Sequence, residues 1–175
     1  MIRIDSNYHL DEFRLGDTAS LVVAINDAEI SRNTLNIPFP YTQKDTEWWL
    51  TEMGVRKNSN QPQQNWAIRN ADGLICGGIG LHYKYGADSH KDEIGYWLKR
   101  DLWRQGIMTK VVGEFTSYCF DELNLKRLEA PIFEFNKGSA RVLENNGYQR
   151  EGLLRKAYLK EGAYYNSVLF ARVAD

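Results

Sequence analysis

The sequence predicts an α+β fold, one mixed sheet with helices on both faces. Strand-like apolar runs recur over 66–68, 74–82, 93–98, 127–135, 148–155 and 164–173. Helix-like stretches with apolar residues three and four apart fall at 18–30, after 42, after 109 and over 139–145. No linker or internal repeat divides them, so the 175 residues read as a single domain, 1–175, long enough to bury a core.

A short strand is expected around His9 to Leu15. Gly16-Asp17-Thr18 then opens a helix carrying Leu21, Val22, Ile25 and Ile30. Pro38 and Pro40 interrupt it, because proline supplies no N–H to a helix. Thr42 or Asp45 caps a second helix bearing Trp48, Trp49, Leu50 and Met53, and the polar run Lys57 to Gln64 reads as a loop. Asn70-Ala71-Asp72-Gly73 joins the next two strands as a hairpin. A loop at Tyr85–Asp88 leads to a strand opened by Glu93. A helix follows with Val112, Phe115, Cys119 and Leu123 on one stripe. The strand Arg127 to Phe135, the helix Ser139 to Asn145 and its stop at Asn146-Gly147 come next, and an antiparallel pair closes the chain.

Hydrophobic residues make up 43% and charged residues 26%, with net charge −1, which excludes a disordered tail; the chain has no Lys/Arg cluster of nucleic-acid-binding length. Cys76 and Cys119 sit in apolar surroundings without metal-ligand spacing and read as buried hydrophobes of a reducing compartment. The N-terminus has no apolar signal segment and no run reaches membrane-spanning length, so the expected location is cytoplasmic.

The segment Trp103-Arg104-Gln105-Gly106-Ile107-Met108-Thr109 carries the first functional signal. A strand that turns through a glycine loop into a helix leaves the first helical N–H groups without intrahelical acceptors. With the positive end of the helix dipole, they form an anion site suited to phosphate or pyrophosphate.

Taken in order, Glu93-Ile94-Gly95-Tyr96-Trp97, then Trp103 to Thr109, then Asn136 to Tyr148, closely resemble the GNAT acyltransferases, and within them the RimJ/RimL-type branch. Ile37 to Thr42, Glu151 to Tyr158, Gly162 and Asn166 fit the same branch. The resemblance implies a mostly antiparallel central sheet splayed at a coenzyme A site, and acetyl-CoA as cosubstrate without a metal. The reaction it implies is direct transfer of acetyl to a primary amine in a ternary complex. The loop residues Arg104, Gln105, Gly106, Ile107, Met108 and Thr109 would cradle the pyrophosphate, and Asn136 would contact coenzyme A. Pantetheine would lie along the strand at Trp97 and Leu98, where that strand splays from 128–133. A backbone N–H near Tyr96 to Leu98 would serve as the oxyanion donor. The branch usually has glycine at the position of Arg104, and alanine or glycine at that of Met108.

The chemistry needs a neutral amine, a stabilised oxyanion and a protonated leaving thiolate. Glu93 is the base candidate, with transfer through water, against a reading as a strand-end surface carboxylate. Ser139 is the candidate for contact with the sulfur, in the place of the tyrosine that many GNAT enzymes carry where this chain has Leu143; the other reading makes it a helix-start residue capped by Asn136. Tyr158 is the alternative acid, with packing as its other reading. Tyr41, Trp49 and Tyr158 are candidates for the acceptor side. His9, His82 and His90 are scattered and form no triad or metal set; His82 and His90 flank the loop beside the expected site and carry little weight as functional residues.

The acceptor implied is a protein or peptide N-terminal α-amine. The alternatives are a small amine, such as a polyamine or amino sugar, and a catalytically weak acyl-CoA-binding module. Neither nucleic acid nor membrane is an expected partner, and the state is monomer or homodimer.

Overall fold

The polar and apolar alternation resolves into eight strands and five α-helices among the described residues, which are 1–57, 63–86 and 88–174 of this computed structural model; of 53–57 only the helical backbone is described. Along the chain they are β1 (Ile2–Arg3), β2 (Tyr8–Asp11), α1 (Thr18–Ile25), α2 (Ala28–Asn33), α3 (Gln43–Lys57), β3 (Asn65–Asn70) and β4 (Ile75–Leu81). They continue with β5 (Lys91–Leu98), α4 (Ile107–Asp121), β6 (Arg127–Phe133), α5 (Lys137–Glu144), β7 (Gln149–Lys160) and β8 (Ala163–Val173). Two compact units divide the chain: Met1–Leu81 with Tyr96–Gln105, and His82–Gly95 with Gly106–Asp175.

In the first unit β1, β2, β3 and β4 form an antiparallel meander, with Leu10 opposite Ile68 and Ala67 opposite Gly78. The turn Asn70–Gly73 makes the expected hairpin, with Gly73 at φ +79°. The expected strand at His9–Leu15 stops at Asp11. Beyond it the chain turns so that the Asp17 carboxylate receives both terminal nitrogens of Arg69, at 3.0 and 2.7 Å, in the interior. The single helix expected over 18–30 is two. Asn26 leaves the helical path to accept the Tyr41 N–H at 2.9 Å. Asp27 takes an extended conformation and caps α2 through the N–H groups of Glu29 and Ile30. Thr42 and Asp45 both cap α3, each side chain accepting the other's N–H. The core of this unit gathers Leu21, Ala24, Ile25, Ile30, Tyr41, Ala67 and Ile75. Within the run Lys57–Gln64, residues 58–62 lie outside the described residues, as does Ala87 of the next loop; so does the Met53 side chain.

In the second unit β5 pairs with β6 in parallel, β6 with β8 antiparallel, and β8 with β7 antiparallel. The strands of both units thus make mixed, mostly antiparallel pairings, as the sequence led us to expect. Glu93 does not open its strand: β5 begins at Lys91. α4 begins at Ile107, directly after Gly106, and ends at Asp121, so Leu123 lies past its end. Val111, Val112, Phe115 and Cys119 are fully buried on one face of α4. The buried Thr116 hydroxyl meets the Tyr148 hydroxyl at 2.8 Å. Deleting the Phe115 ring would cost about 3–5 kcal/mol. β6 ends at Phe133, with Phe135 stacked on it at 5.0 Å rather than continuing the strand. Both cysteines are buried and free. Among the described residues no helix is long and apolar enough to cross a membrane.

Candidate active site

The parallel register of β5 on β6 covers Lys91–Glu93 against Arg127–Glu129, and β5 then runs on to Leu98. Glu93 sits at the end of that register. It is 9% exposed, so it is not a surface carboxylate. Its two oxygens are taken separately: Oε1 meets His82 Nδ1 at 3.0 Å and Oε2 accepts from Lys84 Nζ at 2.9 Å. Burial by itself would raise the Glu93 carboxyl, but the hydrogen bonds from His82 and Lys84 outweigh it and hold it below the ordinary carboxylate range. From sequence, His82 carries little weight beside the site and Lys84 does not enter. The sequence signal for His82 is its place beside the loop between β4 and β5; in the structure the His82 N–H donates to the Glu93 carbonyl at 2.9 Å, which aligns the two side chains.

At the start of α4, Gly106 takes φ +77°, a conformation glycine adopts without the Cβ clash that other residues pay. Lys110 is the first residue whose N–H bonds back within the helix, to the Gly106 carbonyl at 3.2 Å. The N–H groups of Ile107, Met108 and Thr109 therefore precede the helical ladder. No acidic residue occupies the first turn of α4, so nothing there opposes an anion. Ile107 and Met108 are 7% and 8% exposed, so the bulky Met108 side chain faces inward and leaves its backbone to the loop. Arg104 has φ +63°, which explains why glycine is usual there. This backbone fits a pyrophosphate cradle.

Asn136 caps α5, its Oδ1 accepting the Ser139 N–H at 3.0 Å. That cap places half-buried Ser139 in the first turn of α5, while Leu143, one turn further along the same face, is fully buried. Tyr158 is half-buried on β7. Its hydroxyl donates to the Pro131 carbonyl at 3.3 Å and receives the Ser167 hydroxyl at 3.3 Å, and its ring packs edge-on against Phe133 at 4.9 Å. Burial pushes its phenol up, which makes it a poorer acid than a free tyrosine.

The other candidates belong to the first unit. Tyr41 is buried in its core, and Trp49 packs against that core with its ring edge-on to Phe13 at 4.8 Å. Trp97 packs against the same core, close enough to Gly78 that a Cβ there would meet its indole nitrogen at 2.8 Å. Leu98 is buried, and its carbonyl accepts the Trp103 indole N–H at 2.7 Å. Gln105 is exposed and donates from its amide to the Asp101 carbonyl at 2.9 Å. Among the described residues no group of three or more His, Cys, Asp or Glu side chains is placed to hold a metal ion.

The model of the acetyltransferase (GNAT) domain matches residues 8–149. The chain is 33% identical over 166 residues to the uncharacterized N-acetyltransferase p20 of Bacillus licheniformis, covering 93% of this chain and 90% of p20. It is 34% identical over 110 residues to the uncharacterized N-acetyltransferase YoaA of Bacillus subtilis (strain 168), covering 62% of this chain and 61% of YoaA, less than two thirds of that relative's length. Its fold is also that of the solved RimL ribosomal L7/L12 α-N-protein acetyltransferase in complex with coenzyme A. That match has a TM-score of 0.87 at 18% identity and covers 99% of this chain and 98% of the other.

Proposed function

The chain belongs to the GNAT acetyltransferase family, and from that premise we propose that it is an acetyl-CoA-dependent N-acetyltransferase whose acceptor is the free α-amine of a peptide or protein N-terminus. The observation that carries this is the state of Glu93. A carboxylate held by His82 and Lys84 below its ordinary range is a weak base. An α-amine has a pKa of about 7.7–8.0 and a lysine side chain about 10.4, so the α-amine begins several hundred-fold richer in its reactive form at pH 7. A site with a weak base suits the first and not the second. The chain shares its fold with RimL, an α-N-protein acetyltransferase.

In this reading the N–H groups at the start of α4 hold the pyrophosphate of acetyl-CoA. Arg104 and Gln105 flank it, and Asn136 contacts the same cosubstrate. The strand backbone at Trp97 and Leu98 holds pantetheine, and an N–H of that stretch polarises the thioester carbonyl. The amine attacks that carbonyl, Glu93 supplies the basic end of the site through an intermediary, and Ser139 donates a hydrogen bond to the departing sulfur. Tyr41 and Trp49, in and against the core of the first unit, and Tyr158, held by Pro131 and Ser167, take packing roles. A small amine remains the second acceptor class, and a polyamine or amino sugar belongs in the same assay.

Thiol release from acetyl-CoA tests the proposal. A peptide with a free N-terminus and no lysine is compared with an N-blocked, lysine-containing counterpart. Faster turnover of the first is expected, and equal or faster turnover of the blocked peptide overturns the acceptor class. Ser139→Ala should lower turnover by about ten- to a thousand-fold with little change in acetyl-CoA affinity. Gly106→Pro, which cannot hold φ +77°, should abolish coenzyme A binding by calorimetry in a folded protein.

A further inference from the structure

Glu93 cannot act alone, because both its oxygens are engaged and its side chain is only 12% exposed. Two groups connect it to solvent, Lys84 and His82, with side chains 55% and 49% exposed, and of the two only the imidazole has a lone pair that can take a proton. An ionised carboxylate accepts hydrogen bonds and cannot donate them. With Lys84 Nζ on its other oxygen at 2.9 Å, Glu93 is held in that ionised state. The contact at 3.0 Å therefore requires the proton on His82 Nδ1, which leaves the lone pair of the neutral ring on Nε2.

The backbone beside the ring is cut to fit it. A Cβ on Gly95 would lie 2.5 Å from His82 Nε2 and 3.2 Å from Cε1, so only glycine leaves the imidazole this position. Gly95 directly precedes Tyr96, the start of the strand stretch assigned to the thioester. The other titratable and charged groups around the pair are Asp92 on β5, which accepts the Tyr83 and Lys84 N–H groups, and Tyr158 on β7, whose phenol feels both Glu93 and Lys84.

We propose that His82 is the catalytic base of the transfer, taking the amine proton on Nε2, and that Glu93 is the positioning residue that fixes its tautomer. The inference rests on the acetyl transfer described above and names the intermediary it requires. The amine nitrogen forms a bond to the thioester carbon, and the carbon–sulfur bond breaks. The proton lost by the amine goes to Nε2, directly or through one water, and then to solvent. The thiolate takes one proton and leaves as coenzyme A thiol. A positioned general base of this kind contributes about 10²–10⁴-fold.

The test uses the whole chain, acetyl-CoA and a lysine-free peptide with a free N-terminal alanine. His82→Ala should lower kcat by at least about 100-fold while leaving acetyl-CoA affinity in place. At saturating acetyl-CoA and peptide, where titration of the free amine no longer enters, it should remove the acidic limb of the kcat profile, and added imidazole should restore part of the rate. Glu93→Gln should slow the reaction but retain the imidazole-dependent limb. A His82→Ala rate within threefold of the parent overturns the proposal. So does a slow variant that keeps the acidic limb and gains nothing from imidazole, since that is the pattern of a structural role. ¹⁵N NMR of the labelled imidazole gives a readout independent of turnover. Nδ1–H in the parent, with loss of that preference in Glu93→Gln, is expected; an Nε2–H ring in the parent overturns the assignment. If the parent releases thiol with an aliphatic diamine and not with the peptide, the acceptor reading fails, and the same variants measured on the diamine still decide for or against His82.

Discussion

Glu93 and Glu129 are partners in the parallel register of β5 on β6, both buried carboxylates, yet their surroundings give them different work. Glu129 receives Tyr85 Oη at 2.5 Å, Arg127 Nε at 2.8 Å and Lys91 Nζ at 3.2 Å. Arg127 in turn grips Glu151 with both terminal nitrogens, and Lys91 Nζ stands 4.0 Å over the Tyr85 ring. Burial would raise the Glu129 carboxyl, but those three donors bring it down to about 2. Every donor on Glu129 keeps its proton at neutral pH. Glu93 shares its charge between one such donor, Lys84, and an imidazole half open to solvent. A carboxylate surrounded by permanent donors is a structural tie. The same group joined to a titratable and accessible ring is equipped to manage a proton. The loop between β4 and β5 contributes to both sets, with His82 and Lys84 for one carboxylate and Tyr85 for the other.

The sharpest way to break this comparison is to neutralise each carboxylate in turn and measure turnover. Glu93→Gln should lower kcat by about 100-fold, and Glu129→Gln should leave turnover per folded molecule within about twofold. Comparable losses in both would erase the distinction.

Stability should show the opposite order. Removing Glu129 leaves Arg127 and Lys91 without their buried partner, a cost of about 3 kcal/mol for Glu129→Gln, or roughly 6–12 °C in Tm for a chain of this size. Glu93→Gln should cost less, because its partners His82 and Lys84 reach solvent. Thermal melts of the two variants side by side make the measurement.

Acid sharpens the same contrast. The Glu129 carboxyl is lowered in the folded protein, so the unfolded chain binds the extra proton as pH falls. Its stabilisation is complete above about pH 4.5 and is lost as pH falls through the range toward 2. Urea denaturation between pH 6 and 3 should show a shallower decline in Glu129→Gln than in the parent. The smallest effect is expected from Tyr85→Phe, which removes one hydrogen bond and keeps the ring under Lys91; about 1 kcal/mol should be lost with turnover unchanged.

The sequence by itself determined the α+β class, the glycine-led start of α4, the capping of α5 by Asn136 and the GNAT assignment. Each of these is written locally. Gly106 before an apolar stripe and Asn136 three residues before Ser139 state their backbone geometry through short-range sterics and hydrogen bonds. Short-range rules also mark where proline ends a helix, but not that Asn26 and Asp27 would divide one, since Asn26 departs to reach Tyr41, fifteen residues on. Only the tertiary structure decided which groups meet Glu93 and which meet Glu129. All of those donors but Arg127 come from 9 to 44 residues away, and a pairing register has to form before they can converge. Composition shows three scattered histidines. Folding brings one of them to a buried carboxylate beside a glycine that makes room for its ring, because burial selects partners by charge and space rather than by distance along the chain.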